Sequence, residues 1–112
     1  MKGKSVFIKR RFPRFSVEWP CLYSTNNGPD SDGTAVNLSR GGCAIRTTTS
    51  VRKDEHLSVL MFPGPNQAPI EVHPASVRWA TNGQFGVEFM MLARRDGERL
   101  ESYLSSMEGG AK

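Results

Sequence analysis

The sequence lacks the features that mark several large classes of protein. Its two cysteines, Cys21 and Cys43, can form at most one disulfide, so we expect buried thiols rather than a disulfide-stapled secreted fold. No stretch approaches the roughly 18 consecutive apolar residues of a membrane span. The N terminus also lacks the apolar core of a secretory signal. These absences predict a cytoplasmic protein without membrane insertion.

Catalytic and metal-binding patterns are absent as well. A chain of 112 residues has room for one domain and not for a multidomain enzyme. His56 and His73 have no cysteine or carboxylate at ligand spacing, and no nucleophile elbow, Walker loop or dinucleotide fingerprint is present. Cys43 lies in an apolar run without a neighbouring base. We therefore expect no enzyme, no catalytic residue, no metal and no cofactor.

Acidic residues are missing from the first 17 positions, and basic residues are concentrated there. The first acid is Glu18, and from residue 15 onward acids outnumber bases. A general binder of DNA or RNA usually spreads its cations over a face, so neither partner is expected, and a short arm suits a small anion better. We predict a flexible basic arm over residues 1–14, followed by one domain over residues 15–108. The basic residues of this arm are Lys2, Lys4, Lys9, Arg10, Arg11 and Arg14.

Short apolar runs separated by glycine and proline predict a small β-barrel or sandwich. Asn82 and Gly83 favour a type I′ hairpin turn, and residues 26–33 are dense in turn formers. Apolar residues at helical spacing from Leu100 to Met107 predict an amphipathic helix, with Asp96 as its N-cap and a stop at residues 109–110. The strands are predicted near residues 15–24, 34–38, 43–47, 57–62, 70–79 and 85–89.

Two short motifs contain side chains suited to a nucleotide. Residues 10–14 (RRFPR) hold three guanidiniums, whose planar forks match phosphate or the O6/N7 edge of guanine. In residues 37–42 (NLSRGG), two small polar side chains can bond base edges, and the glycines let a flat ligand approach. Taken alone, the first motif is more typical of a solvated basic terminus and the second of a turn.

In this order and spacing, the two motifs resemble the signatures R-x-x-x-R and [D/N]-x-S-x-x-G of the PilZ domain family. Residues 77–79 (VRW) and 86–89 (GVEF) are similar to the late hairpin of that family. The resemblance implies a mainly β fold, a six-stranded antiparallel barrel with a C-terminal helix, that binds bis-(3′,5′)-cyclic dimeric GMP (cyclic di-GMP). It implies that the ligand is held by Arg10, Arg11, Arg14, Asn37, Ser39 and Gly42, with Lys9, Arg40, Gly41 and Trp79 beside them.

The resemblance also implies how such a protein would work. Asn37 stands where Asp is commoner, so its neutral carbonyl is expected to bind guanine more weakly. Ligand binding would order the arm and create a surface that an unidentified downstream protein reads. Lys9 adds a cation next to the motif and favours a stacked pair of ligands. Trp79 is expected either near the ligand or in the core.

Two other functions remain open on the sequence. One is a PilZ-like adaptor that binds no nucleotide, of the kind found in type IV pilus assembly. The other is a basic-arm nucleic-acid binder, which would show a strong salt dependence.

Overall fold

A computed structural model of the protein describes residues 12–25 and 28–110, with side chains as far as residue 108. Lys9, Arg10 and Arg11 lie outside the described residues, as does most of the predicted arm. The fold consists of strands β1 (Phe15–Thr25), β2 (Ser31–Leu38), β3 (Gly42–Arg46), β4 (His56–Met61), β5 (Ile70–Thr81) and β6 (Gln84–Phe89) and helix α1 (Arg94–Gly110).

The six strands close into a barrel in the order β1-β2-β3-β6-β5-β4, and every pairing is antiparallel. Closure gives each of these six strands two hydrogen-bonded neighbours, so none of them is left with an open edge that could pair with another chain. The predicted six-stranded barrel with a C-terminal helix is therefore confirmed.

Alternation along the strands fills the interior of the barrel. In β1, Trp19, Cys21 and Tyr23 are buried, as their two-residue spacing predicts. Leu100 and Leu104 of α1 join the same core. The indole of Trp19 meets the ring of Tyr103 edge to face, with 5.2 Å between centroids. The apolar stripe of α1 is thus used in packing against the barrel.

Both cysteines are free thiols in the core, as the sequence predicts. Cys21 and Cys43 are each 2% exposed. Burial raises the pKa of the Cys21 thiol to about 12, and burial also raises the pKa of the Cys43 thiol. Burial thus disfavours the thiolate, which is the nucleophilic form of cysteine.

Three local predictions were wrong. β2 begins at Ser31 rather than Thr34, since Asp32 and Gly33 pair with β1 despite their turn propensity. In the hairpin turn only Gly83 has a positive φ, of 82°, so the turn is not type I′. Asp96 lies inside the first turn of α1 and is not its N-cap.

Helix α1 also differs from expectation at its ends. The carbonyl of Ala93 accepts a hydrogen bond from the N–H of Gly97 at 2.9 Å, which places the N-cap at Ala93. At the other end, the helix includes the two glycines predicted to stop it. Within residues 12–25 and 28–110, no helix has both the length and the apolar character needed to cross a membrane.

Candidate functional site

The outer wall of the barrel carries a depression of about 650 Å³ where β2, β3, β6 and β5 lie side by side. Its floor is formed by residues with little or no side chain, Gly42 and Ala44 on β3 and Gly86 on β6. Ala44 is 1% exposed yet is not part of the core cluster. The indole of Trp79 occupies the space next to Gly86.

One row of paired residues crosses the depression. Asn37 pairs with Ala44, Ala44 with Gly86, and Gly86 with Trp79. Three interstrand spacings separate the ends of this row, a Cα distance of roughly 14 Å. An amide and an indole therefore stand at opposite sides of a flat, small-residue floor.

The loop between β2 and β3 uses its polar groups to hold its own shape. Ser39 donates its N–H to the carbonyl of Gly42 at 2.9 Å, and Ser39 Oγ accepts from the N–H of Gly41 at 3.3 Å. Ser39 is only 3% exposed. A methyl group on Gly42 would overlap the carbonyl oxygen of Val87, so glycine is required for β3 to approach β6. Ser39, Gly41 and Gly42 all line the depression.

Arg14 reaches the depression from the residue just before β1. Its Nη1 donates to Oδ1 of Asn37 at 2.7 Å, because the pairing of Ser16 with Asn37 brings these segments together. The carbonyl of Asn37 is thus already bound, and its Nδ2 amide remains as a donor. This end of the row combines a cation with a hydrogen-bond donor.

A β-bulge positions Trp79 at the other end. Val77 pairs with Val87 and Trp79 with Gly86, so Arg78 is the extra residue in the ladder. As a result, Arg78 and Trp79 both line the depression. Trp79 is 40% exposed and lies over Gly86, which places it in the wall of the site rather than in the core.

Arg40 lies elsewhere, against helix α1. Its Nε is 2.5 Å from Oε2 of Glu101, and its guanidinium carbon is 5.7 Å from the ring centroid of Phe12. The hydrogen bond and the negative charge of Glu101 raise the pKa of Arg40 above its ordinary value. Arg40 therefore ties the β2–β3 loop to α1 and does not line the depression.

Beside the residues of the floor, the sequence analysis did not assign Phe12, Arg78 and Glu88 to the site. Phe12 packs against Gly41 at the rim. Arg78 and Glu88 form an ion pair in which Nε of Arg78 donates to Oε1 of Glu88 at 2.7 Å and Nη2 donates to the same oxygen. Strand alternation could have identified Glu88, because it is two residues from Gly86 and faces the same side of the sheet.

The two histidines lie outside this depression, on β4 and β5. His56 and His73 are both exposed, and His73 Nδ1 is hydrogen bonded to Ser58 Oγ. Among the residues with described placement, no cluster of three or more His, Cys, Asp or Glu side chains is arranged to hold a metal ion.

Comparisons with known proteins give one matching family model and several solved structures of similar fold. The PilZ domain family model matches residues 8–106. Among solved structures, the Bacillus subtilis inhibitor of motility MotI/DgrA has a TM-score of 0.78 at 19% identity, covering 93% of this chain and 53% of that chain. Escherichia coli YcgR in complex with cyclic di-GMP has a TM-score of 0.74 at 15% identity. This match covers 92% of this chain and 47% of that chain.

The chain thus spans about half the length of these two neighbours. It covers 94% of the isolated PilZ domain of Escherichia coli YcgR with cyclic di-GMP, at 15% identity and a TM-score of 0.65. At such identities the likeness shows the fold. A search of curated protein sequences gave no significant match.

The contact between Trp79 and Gly86 can be tested by Gly86→Ala. The added methyl would overlap Nε1 and Cε2 of the indole and lie 2.8 Å from Cζ2, so the ring has to swing outward. We expect red-shifted tryptophan emission and stronger quenching by acrylamide, because the indole becomes more exposed to water.

Gly97→Ala is the matched control, because a methyl at Gly97 has no atom within 4 Å. It should leave the emission unchanged and raise stability by about 0.5–1 kcal/mol, as alanine replaces glycine within a helix. Identical emission spectra for Gly86→Ala and the unsubstituted protein would contradict the assigned contact.

Proposed function

The chain belongs to the PilZ domain family, and on this premise we propose that it is a receptor for cyclic di-GMP, which binds in the depression on the outer wall. The observation that carries the proposal is the meeting of Arg14, Asn37 and Trp79 at one small-residue floor, although they are far apart in the sequence. The neighbours solved with cyclic di-GMP, at 15% identity, support the same choice of ligand.

The chemistry of the depression suits a dinucleotide with two phosphates and two guanines. Arg14 offers a planar fork for a phosphate, and the exposed face of Trp79 offers a stacking surface for a base. The Nδ2 amide of Asn37 can donate to O6 or N7 of guanine. Arg14 and Arg78 outnumber Glu88 among the charged residues described there, so the depression favours an anion.

The arm is proposed to complete the site. Arg10, Arg11 and Lys9 directly precede the residues that reach the rim, and they bring further cations for the phosphates. Ordering of residues 1–14 over the ligand would change the surface beside the depression. In this proposal a downstream protein reads that changed surface, and the chain acts as an adaptor.

The contribution of Arg14 is testable by isothermal titration calorimetry with cyclic di-GMP. Arg14→Ala removes a charge-assisted contact, so we expect an affinity loss of about 1.5–3 kcal/mol, roughly ten- to a hundredfold. Arg10→Ala should have a similar effect and Arg11→Ala a smaller one.

Arg46→Ala is the matched control, since Arg46 also lies on the barrel surface but pairs with Glu18 away from the depression. It should bind as the unsubstituted protein does. Equal affinity of Arg14→Ala and Arg46→Ala would refute the role of Arg14. If the unsubstituted chain gave no binding heat, the result would support the alternative function, an adaptor that binds no nucleotide.

The number of ligands per chain is a separate expectation. A stacked pair brings four phosphates to one chain, and Lys9 adds a cation beside the arginine motif to balance them. We expect the titration to saturate at two dinucleotides per chain, with protein well above the Kd. Saturation at one per chain would show that Lys9 does not promote pairing.

Ordering of the arm is testable by hydrogen exchange. Binding should slow amide exchange in peptides that cover residues 1–14, because ligand contacts oppose opening of that segment. Peptides from β4, on the other side of the barrel, should not change. Equal arm exchange with and without saturating cyclic di-GMP would contradict the proposed ordering.

A further inference from the structure

We propose that Glu88 is the specificity-determining residue of the site and that its carboxylate selects guanine over other purines. The inference rests on the proposed function, because it concerns the same depression and the same ligand. In this assignment, Oε2 of Glu88 accepts hydrogen bonds from the N1–H and 2-amino groups of one guanine.

The first support is the supply of hydrogen-bond acceptors. Guanine presents two adjacent N–H donors on its Watson–Crick edge, and a carboxylate is an acceptor-only group that can receive both. The side-chain carbonyl of Asn37 already accepts one hydrogen bond from Arg14, and its other terminal group is a donor. Among the described residues that line the depression, Glu88 is the one carboxylate.

The second support is the orientation of that carboxylate. Both N–H groups that Arg78 donates go to Oε1, and no hydrogen bond within the described residues goes to Oε2. The bulge that turns Arg78 outward therefore holds Glu88 with one oxygen free. The guanidinium also offsets the negative charge, so a carboxylate can lie in a site for an anionic ligand.

The third support is the position of Glu88 relative to Trp79. Glu88 is two residues along β6 from Gly86, the residue covered by the indole. Two residues of a strand span about 7 Å, close to the width of a purine. A base stacked against the outer face of Trp79 thus has its edge within reach of Glu88.

These features predict which bases the site rejects. Adenine has a ring acceptor at N1 and no 2-amino group, so it would face the carboxylate with a lone pair. Hypoxanthine keeps N1–H but lacks the 2-amino group, so it loses one of the two hydrogen bonds. A site built to accept a hydrogen bond discriminates against analogues that lack the donor.

The test compares cyclic di-GMP with cyclic di-IMP, which differs by the two 2-amino groups, on three forms of the full chain. Glu88→Gln keeps the shape of the side chain and turns one acceptor into a donor. Glu18→Gln is the control, since Glu18 also pairs with an arginine on the barrel surface but lies outside the depression. Calorimetry gives the affinity of each pair, and circular dichroism confirms that the variants are folded.

We expect the unsubstituted chain and Glu18→Gln to prefer cyclic di-GMP over cyclic di-IMP by roughly ten- to a hundredfold. In Glu88→Gln the preference should fall to within about threefold, mainly through weaker binding of cyclic di-GMP. The two ligands differ only in the 2-amino groups. The change in their affinity ratio between the unsubstituted chain and Glu88→Gln therefore measures the interaction of Glu88 with a 2-amino group.

Two results would overturn the inference while leaving the receptor function intact. One is an unchanged preference in Glu88→Gln. The other is tighter binding of both ligands by Glu88→Gln, which would mean that Glu88 only competes with the ligand for Arg78. Failure of the unsubstituted chain to bind cyclic di-GMP would instead refute the proposed function, and the inference with it.

Discussion

The close approach of β3 to β6 is the contact on which the rest of the site depends. Gly42 lies against the carbonyl of Val87, where any side chain would overlap the backbone. With Ala44 and Gly86 beside it, this contact gives the barrel wall a shallow floor. The core on the inner side of the same strands is filled by large side chains such as Ile45 and Phe85. The same strands thus have a filled interior and a shallow depression on the outside.

The polar and aromatic side chains of the depression lie at the borders of this floor. A different structural feature directs these groups outward at each border. At one side, strand pairing brings Arg14 to Asn37, and at the other a bulge turns Arg78 and Trp79 to the same face. Ser39 contributes through the loop it stabilises, which sets the register between β2 and β3. The polar groups of the depression thus come from strand ends and irregularities, and the regular parts of the strands support them.

Much of this architecture could be predicted from the sequence, because it rests on local patterns. The alternation at residues 15–24 predicts strand β1, and Asn82 with Gly83 predicts the turn between β5 and β6. The motif at residues 37–42 is typical of a turn and includes the loop between β2 and β3. The pairing of Arg78 with Glu88 was not predictable, since it depends on a bulge that shifts the alternation of β5 by one residue. The orientation of the Arg40 side chain was not predictable either, because it is set by the docking of α1. Local signals fail where the position of a side chain depends on a neighbouring strand or helix.

The bond between Arg14 and Asn37 has a consequence for the reach of the residues before it. It anchors one end of the arm at the rim of the depression. Four residues of fully extended chain span at most about 14 Å, so Arg10 can never be farther than that from Arg14. Because the two residues belong to one chain, this distance limit holds whatever the concentration of the protein. In the proposed complex, a dinucleotide on the floor therefore lies within reach of these cations, and the length of chain between Arg10 and Arg14 contributes to its affinity along with the strength of each contact.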